Sequence, residues 1–293
     1  MADAPTCSAL ALAMDEPLQA TASRIRHWLL VEQPGRWGHH ALLDSELPRE
    51  VGEHLAIEGH HHGVRVLLIK RRSRGPGGSR RCFAAFTGRR ERRLITFQID
   101  APRDLLDLDL GALARDRWSG LGEEIAGPLF AVCTHGKHDQ CCARLGAPVL
   151  RALSHREDTW EVTHVGGDRF AGNLLAFPHG LYFGRVTGEA AGRVADAYAG
   201  GRIALDHFRG RSAFTPAAQA AEHHLRAALG VVGVDDVVLT GHRSLGPLHR
   251  VDFTVRGEAR VVEVEEVLLE PRPLTCKSGA PRAPRSFVLR GLS

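Results

Sequence analysis

The sequence predicts an α/β fold, and three observations carry that expectation. Short apolar runs rich in branched residues recur, such as VRVLLIK at 64–70 and LFAVC at 129–133. Segments with helical spacing of apolar residues lie between such runs. The middle third reads β-α-β-β-β-α in order, which suits a compact α/β unit. With 293 residues, 43% hydrophobic and 25% charged, the chain can bury a sizeable core as one large domain or two of ordinary size.

After an irregular lead-in, HWLLVE at 27–32 is a strand that stops at Pro34-Gly35. A loop at 36–45, a short helix at 48–57 and the strand at 64–70 follow. Residues 73–79 contain Gly-Pro-Gly-Gly and form a flexible loop. Two strands at 82–86 and 93–99 lead to a helix at 104–115, whose leucines (Leu105, Leu106, Leu108, Leu110, Leu113) are helically spaced. The polar stretch 116–127 marks a domain boundary. The buried strand 129–133 is followed by a helix at 141–154, which Pro148 bends. A strand at 159–164 ends at Gly166-Gly167, and strands at 174–177 and 181–186 flank the turn Pro178-His179-Gly180. Thr187 caps a helix that runs to about Tyr198. The last third opens with a helix at 216–229, with Pro216 in its first turn and Gly230 after its end. Strands at 236–240, 249–255 and 260–268 follow, the last two joined by a hairpin turn. Their alternation, VDFTV and VVEVEEV, implies one wet face. The tail from Pro271 is mostly loop, closing on an apolar run at 287–289. The expected units are an α/β domain at 1–120, a second at 121–210, and a helix with antiparallel strands at 211–293.

Composition narrows the function. No apolar run reaches about 18 residues, so no transmembrane helix and no membrane partner are expected. The first twelve residues carry Asp3 and no basic flank, so a secretory signal is not expected and the setting is read as cytoplasmic and reducing. Six cysteines are too few for a disulfide scaffold, and the adjacent pair Cys141-Cys142 points to metal or redox chemistry. The formal charge of +4 hides a window at 70–93 with ten basic residues and one acid, Glu91, leaving −5 for the rest of the chain. That window is almost all arginine and lacks the mixture of lysine, arginine and aromatics typical of nucleic-acid binders, so no nucleic acid is expected. A solvated hairpin loop, or a face that docks an acidic redox partner, fits it better.

Two loops carry the chemistry. The first runs Cys133-Thr-His135-Gly-Lys137-His138-Asp139-Gln-Cys141-Cys142, after a strand and into a helix. The second runs His164-Val-Gly166-Gly167-Asp168-Arg169-Phe-Ala-Gly172-Asn173. Strand-end loops of an α/β domain can lie side by side. Thiolates select zinc or iron–sulfur clusters, and imidazole is compatible with both. Taken singly, Cys133 reads equally as a buried strand-end thiol and His164 as a structural histidine; together the loops favour a metal or redox site. His135, Lys137, His138 and Arg169 place positive charge beside the thiols, Asp139 caps the following helix, and Asn173 ties the second loop through backbone hydrogen bonds. The tract His60-His61-His62 lies on a loop where three neighbours cannot easily converge on one ion, and His223-His224 sits on a partly exposed helix. The glycines at 75–78 lack a phosphate-loop lysine, and no Gly-x-Ser-x-Gly elbow is present. Cys82, on a strand, and Cys7 and Cys276, on loops, read as packing or surface residues.

The pattern Cys133-x-His135-x3-Asp139-x2-Cys142, then His164-x-Gly-Gly-x4-Gly172-Asn173 and LYFGRV, resembles the sucrase/ferredoxin-like family, as does WLLVEQPGRWG near the start. The resemblance implies a thioredoxin-like ferredoxin domain at 121–210 and a [2Fe–2S] cluster held by two cysteines nine apart and two histidines four apart. Those positions are Cys133, Cys142, His164 and, in departure from the pattern, Asp168. Three outcomes are open: Asp168 completes the set, Cys141 or His179 replaces it, or the site holds only thiols. The resulting function is electron transfer to an unknown redox protein. The alternatives are a metal-free thiol protein using Cys133 with Cys141 or Cys142, and a hydrolase, for which no carboxylate pair can be assigned.

Overall fold

Alternate residues of a strand point to opposite faces, and that division builds the architecture. The computed structural model describes residues 5–71, 78–118, 120–277 and 280–293. The N-terminal part contains α1 (Cys7–Ala13), β1 (His27–Glu32), α2 (Ala41–Asp44), α3 (Arg49–His62), β2 (Val64–Lys70), β3 (Arg80–Thr87), β4 (Arg92–Ile99), α4 (Leu110–Ala114) and β5 (Glu123–Glu124). The middle contains β6 (Leu129–Cys133), α5 (Gln140–Ala152), β7 (Thr159–Val162), β8 (Leu174–Phe177), β9 (Leu181–Phe183), α6 (Gly188–Ala199) and β10 (Phe208–Arg211). Then come α7 (Pro216–Leu229), β11 (Val237–Leu245), β12 (Leu248–Val255), β13 (Glu258–Leu268) and β14 (Arg285–Leu292).

Strands β1–β10 form one curled sheet in the order β10-β9-β8-β6-β7-β2-β1-β3-β4-β5. The same local order, β2-β1-β3-β4 and β7-β6-β8-β9, occurs in each half, with one parallel pair and two antiparallel pairs. The halves join edge to edge where Ile69 and Lys70 of β2 pair with Val162 and Glu161 of β7. One face of the sheet buries Trp28, Leu30, Phe83, Ala131, Trp160 and Phe177, drawn from both halves, in a shared core. The opposite face packs Leu29 and Val31 under α3, and Phe130 and Val132 under α5 and α6. The mixed α/β class is therefore as the sequence predicts. The C-terminal strands do not add to the N-terminal unit; they form a separate antiparallel sheet, β11-β12-β13-β14, covered by α7.

Several elements differ from the sequence expectation for identifiable reasons. The lead-in holds α1, started by Thr6, whose hydroxyl accepts from the Ala9 amide at 3.3 Å. The helix expected at 104–115 is a 3₁₀ turn at Pro102–Leu106 followed by the short α4. Local carboxylates compete with the helix there: Asp104 accepts from the amides of Asp100 and Ala101, and Asp109 accepts from Ala112 and starts α4. The histidines His60, His61 and His62 form the last turn of α3, not a loop, and Gly63 ends it at φ 68°. The tail at 285–292 is a full strand because β13 offers it a partner edge. The loop expected at 73–79 lies, up to residue 77, outside the described residues. Its flanks, β3 and β4, form a hairpin. Among the described residues, no helix is long and apolar enough to cross a membrane.

A buried ion triad joins α7 to the large sheet. Glu222 Oε1 accepts from Arg211 Nε at 2.8 Å and Arg226 Nε at 2.9 Å, and all three side chains are buried. At the same end, the turn after β8 carries His179, whose Nδ1 lies 2.6 Å from the Tyr198 hydroxyl and whose Nε2 lies 3.6 Å from Asp235. Burial, with Arg92 and Arg211 nearby, pushes the His179 pKa down to about 3.

Two expectations follow. Replacing Glu222 by Gln leaves two buried guanidinium groups without their counter-ion and should cost about 3–5 kcal/mol in urea denaturation; a loss under about 1 kcal/mol would mean that the triad is not a structural junction. For His179 the unfolded ring titrates near 6.5 and the folded ring near 3, so only the unfolded state takes up a proton between them. Stability should fall as pH drops through that window, by about 2 kcal/mol from pH 6.5 to 5 for this group alone. His179→Asn should flatten the slope of unfolding free energy against pH relative to the parent, and parallel slopes would refute the assignment.

Candidate functional site

β6 ends on Cys133, which is buried and whose amide donates to the Asn173 carbonyl at 3.0 Å. Helix α5 begins shortly after. The Asp139 Oδ1 accepts from the Cys141 amide at 2.9 Å, the N-cap bond that sets where the helix starts. Gly146 then lets α5 lie against the end of β6, since a Cβ there would stand 2.0 Å from the Cys133 carbonyl oxygen. Cys142, in the first turn, packs in the same core cluster as Cys133.

The second loop arrives from β7. Gly166 and Gly167 take φ of 98° and 80°, a region costly for other residues. A Cβ on Gly167 would also meet the Arg209 guanidinium at 2.2 Å. Arg209 is fully buried and organises the loop: Nη1 donates to Asn173 Oδ1 at 2.7 Å and to the Gly166 carbonyl at 3.1 Å, and Nε donates to the Thr21 hydroxyl at 3.0 Å. Asn173 completes the clamp by donating to the Gly167 carbonyl at 2.9 Å.

The two loops meet over sulfur. One ligand atom each of Cys133, Cys142 and His164 lies within 4.8 Å of the others, and the same holds for His138, His164 and Asp168. Cys142 Sγ donates to Asp168 Oδ1 at 3.2 Å. His164 Nδ1 lies 2.9 Å from the same oxygen, forming an ion pair with it. The Cys133 thiol is held well below its ordinary pKa, first by its contact with the Cys142 thiol, against burial, and then by His164. Cys142 is pushed up by its bond to Cys133 and by burial. The two thiols are thus pushed in opposite directions, Cys133 toward the thiolate and Cys142 toward the thiol. Burial lowers the His164 pKa, but contacts with Asp168 and Cys133 outweigh it and raise the ring to about 9. Asp168 stays below its ordinary value because His164 outweighs its burial.

The surroundings differ from the sequence reading in their charge. His135 does not supply a cation: burial lowers its pKa, its Nδ1 accepts from the His164 amide at 3.3 Å, and its Nε2 donates to the Gly38 carbonyl at 2.7 Å. His138 stacks on His164 with ring centres 3.8 Å apart, and burial pushes its pKa down to about 4. Arg169 is turned to Glu16 at 2.8 Å, and the Lys137 carbonyl accepts from Lys277 Nζ at 2.6 Å. The positive charge at the site comes from His164 itself and from Arg209, which the sequence reading passed over. The available signal was a pair of arginines in the otherwise small and apolar strand FRGR.

Neither alternative ligand joins the group. Cys141 is one residue round the helix and packs against Cys7 and Cys276 instead. His179 follows Phe177, and Phe177 pairs with Leu129 at the start of β6, whereas Cys133 is at its finish. The exposed edge of His164, 19% accessible, opens into a shallow groove of about 270 Å³ with His39, His138, Leu42 and Arg65 on its walls.

Comparison with known proteins gives a consistent picture. Proteins named Altered inheritance of mitochondria protein 32 are similar over part of the chain. The Debaryomyces hansenii protein is 33% identical over 102 residues, 30% of this chain and 37% of that protein. The Meyerozyma guilliermondii protein is 31% identical over 101 residues, 30% of this chain and 36% of that protein. The Clavispora lusitaniae protein is 33% identical over 96 residues, 29% and 35% respectively. The chain thus spans little more than a third of the length of these relatives. No solved structure matches it. Residues 18–210, which contain both loops and every residue of the sulfur–imidazole group, match the sucrase/ferredoxin-like family, and the chain belongs to that family.

Proposed function

We propose that this protein transfers electrons through a [2Fe–2S] cluster held by Cys133, Cys142, His164 and Asp168, in a thioredoxin-like ferredoxin unit at 121–210. The observation that carries the reading is the convergence of two buried thiols and one imidazole from two strand-end loops. The donor set fits: thiolates and imidazole are iron–sulfur ligands, and one ligand atom of His164 lies within 4.8 Å of both sulfurs. The strand order β7-β6-β8-β9 supports the thioredoxin-like assignment. Bound there, the cluster would take up and release one electron at a time.

The chain's own residues supply the rest. Burial of Cys133 and Cys142 keeps water from the sulfurs, while Arg209 offsets their negative charge without leaving the core. His164 reaches the groove and gives a redox partner its shortest approach. Asp168 is a harder, anionic donor than imidazole, and His138, within 4.8 Å of both His164 and Asp168, is placed to substitute for it.

A second reading has its own support. The Cys133 thiolate beside the Cys142 thiol is the charge arrangement of a dithiol that cycles to a disulfide, with no metal. The partner thiol would be Cys142, since Cys141 faces elsewhere.

Anaerobically purified protein should be brown, absorbing between roughly 320 and 550 nm, and should contain iron and acid-labile sulfide. Cys133→Ser and Cys142→Ser should abolish the colour, and Cys82→Ala, in the core of β3, should keep it. Colourless, iron-free parent protein with a measurable dithiol–disulfide potential would replace the first reading by the second. Asp168→His should raise the midpoint potential by removing an anionic ligand; an unshifted potential would take Asp168 off the ligand set.

A further inference from the structure

Four of the six cysteines belong to none of this chemistry, and the fold brings three of them together. Cys7 opens α1, Cys141 lies in the first turn of α5, and Cys276 sits in the connection between β13 and β14. Their sulfurs are 3.7 Å (Cys7–Cys141), 3.4 Å (Cys141–Cys276) and 3.5 Å (Cys276–Cys7) apart. Cys7 and Cys141 are buried and Cys276 is half-buried. The Asp139 Oδ2 faces the same point, 3.9 Å from Cys7 Sγ, and accepts from the Cys276 amide at 2.7 Å. One ligand atom from each of the four residues lies within 4.8 Å of the others.

We infer that Cys7, Cys141, Cys276 and Asp139 form a structural zinc site. A disulfide requires sulfurs about 2.05 Å apart, and none of the three pairs is near that. Thiolates bound to tetrahedral zinc, with Zn–S bonds of about 2.3 Å, lie about 3.8 Å apart, close to the spacing of this triangle. Three thiolates and a carboxylate close the coordination shell, which is the mark of a structural site, not a catalytic one. The amide of Cys276 on Asp139 Oδ2 holds that carboxylate in place, as outer-shell bonds do for metal ligands. The four residues span nearly the whole chain, so an ion there would fasten both terminal segments to α5. Cys7 and Cys276 lie outside residues 18–210, so the site is built by segments beyond the family match.

This site is independent of the cluster, because successive helix residues point about 100° apart and send Cys141 and Cys142 to different sides of α5. Full-length protein purified under reducing conditions without added chelator should contain one zinc per chain by elemental mass spectrometry. Cys276→Ser, at the most exposed corner, and Cys7→Ser should each lose it, whereas Cys142→Ser should retain it. Replacement of zinc by Co²⁺ should produce the visible d–d and near-ultraviolet thiolate bands of a tetrahedral sulfur site, absent from Cys276→Ser. Zinc-free parent protein that also gives no such bands with Co²⁺, or zinc retained in both Cys7→Ser and Cys276→Ser, would overturn the assignment. Zinc lost from Cys142→Ser but kept in Cys276→Ser would move the metal to the other sulfur pair and overturn it equally. Iron-free parent protein that still holds one zinc would sink the cluster and leave this site standing.

Discussion

The carboxylate of Asp139 sets the position from which both sulfur groups are built. One oxygen caps α5 through the Cys141 amide, and the other receives the Cys276 amide. A helix that started one residue later would rotate by about 100° and turn Cys142 away from Cys133. The cap therefore does more than offset an unpaired amide, a contribution of about 1 kcal/mol. It indexes two adjacent cysteines to two different environments. Gly146 fixes the second coordinate, the distance of the helix from the end of β6.

Around that origin, charge is handled by burial and pairing. A buried thiolate is costly unless a cation or donor meets it. Here Cys142, His164 and, at longer range, Arg209 share that task. Arg209 retains its charge because its pKa, lowered by burial to about 10, remains well above neutral. The N-terminal segment closes over the second loop in the same manner: Ser8 donates to the Asp168 carbonyl at 2.9 Å, and buried Glu16 receives Arg169 at 2.8 Å with Arg272 3.3 Å away. The N-terminal segment that carries Cys7 is thereby fastened to the loop that carries Asp168.

What sequence makes legible here is local chemistry. Thr187, Asp139 and Pro216 announce their helices because caps and first-turn prolines act within a few residues, and the strand runs announce themselves by branched apolar composition. The helix expected at 104–115 fails for the same kind of reason, since Asp104 and Asp109 divert the backbone and periodicity alone is blind to them. The two loops stand out by their thiols, imidazoles and glycines after strands, but which of these residues converge is given only by the family resemblance, because nothing local fixes the contacts between loops 22 residues apart. Cys7 and Cys276 were read as packing or surface residues: they meet across 269 positions, and only the tertiary fold expresses that contact. The protonation of His135 and His138 was misjudged because sequence counts histidines as potential cations, whereas burial decides their charge.

The N-terminal half repeats the strand order of the middle half but has no counterpart of Cys133 and His164 at its strand ends. Where β6 ends on Cys133, the matching strand β1 runs into Gln33-Pro34, and the loop that follows delivers Trp37 and Gly38 to His135. That half serves as a wall. Trp28 and Phe83 cross the shared core to meet Phe177 and Trp160 edge-on, at 5.3 and 5.4 Å between ring centres. Each such indole removes roughly 200 Å² from water, worth about 5 kcal/mol before entropy is counted. The apolar mass covers the strand face on which Cys133 lies, and the imidazole of His164 is the partly exposed member of the group. The second copy of the strand order thus gives the two loops a dry backing of aromatic side chains and leaves His164 as a partly exposed edge beside the groove.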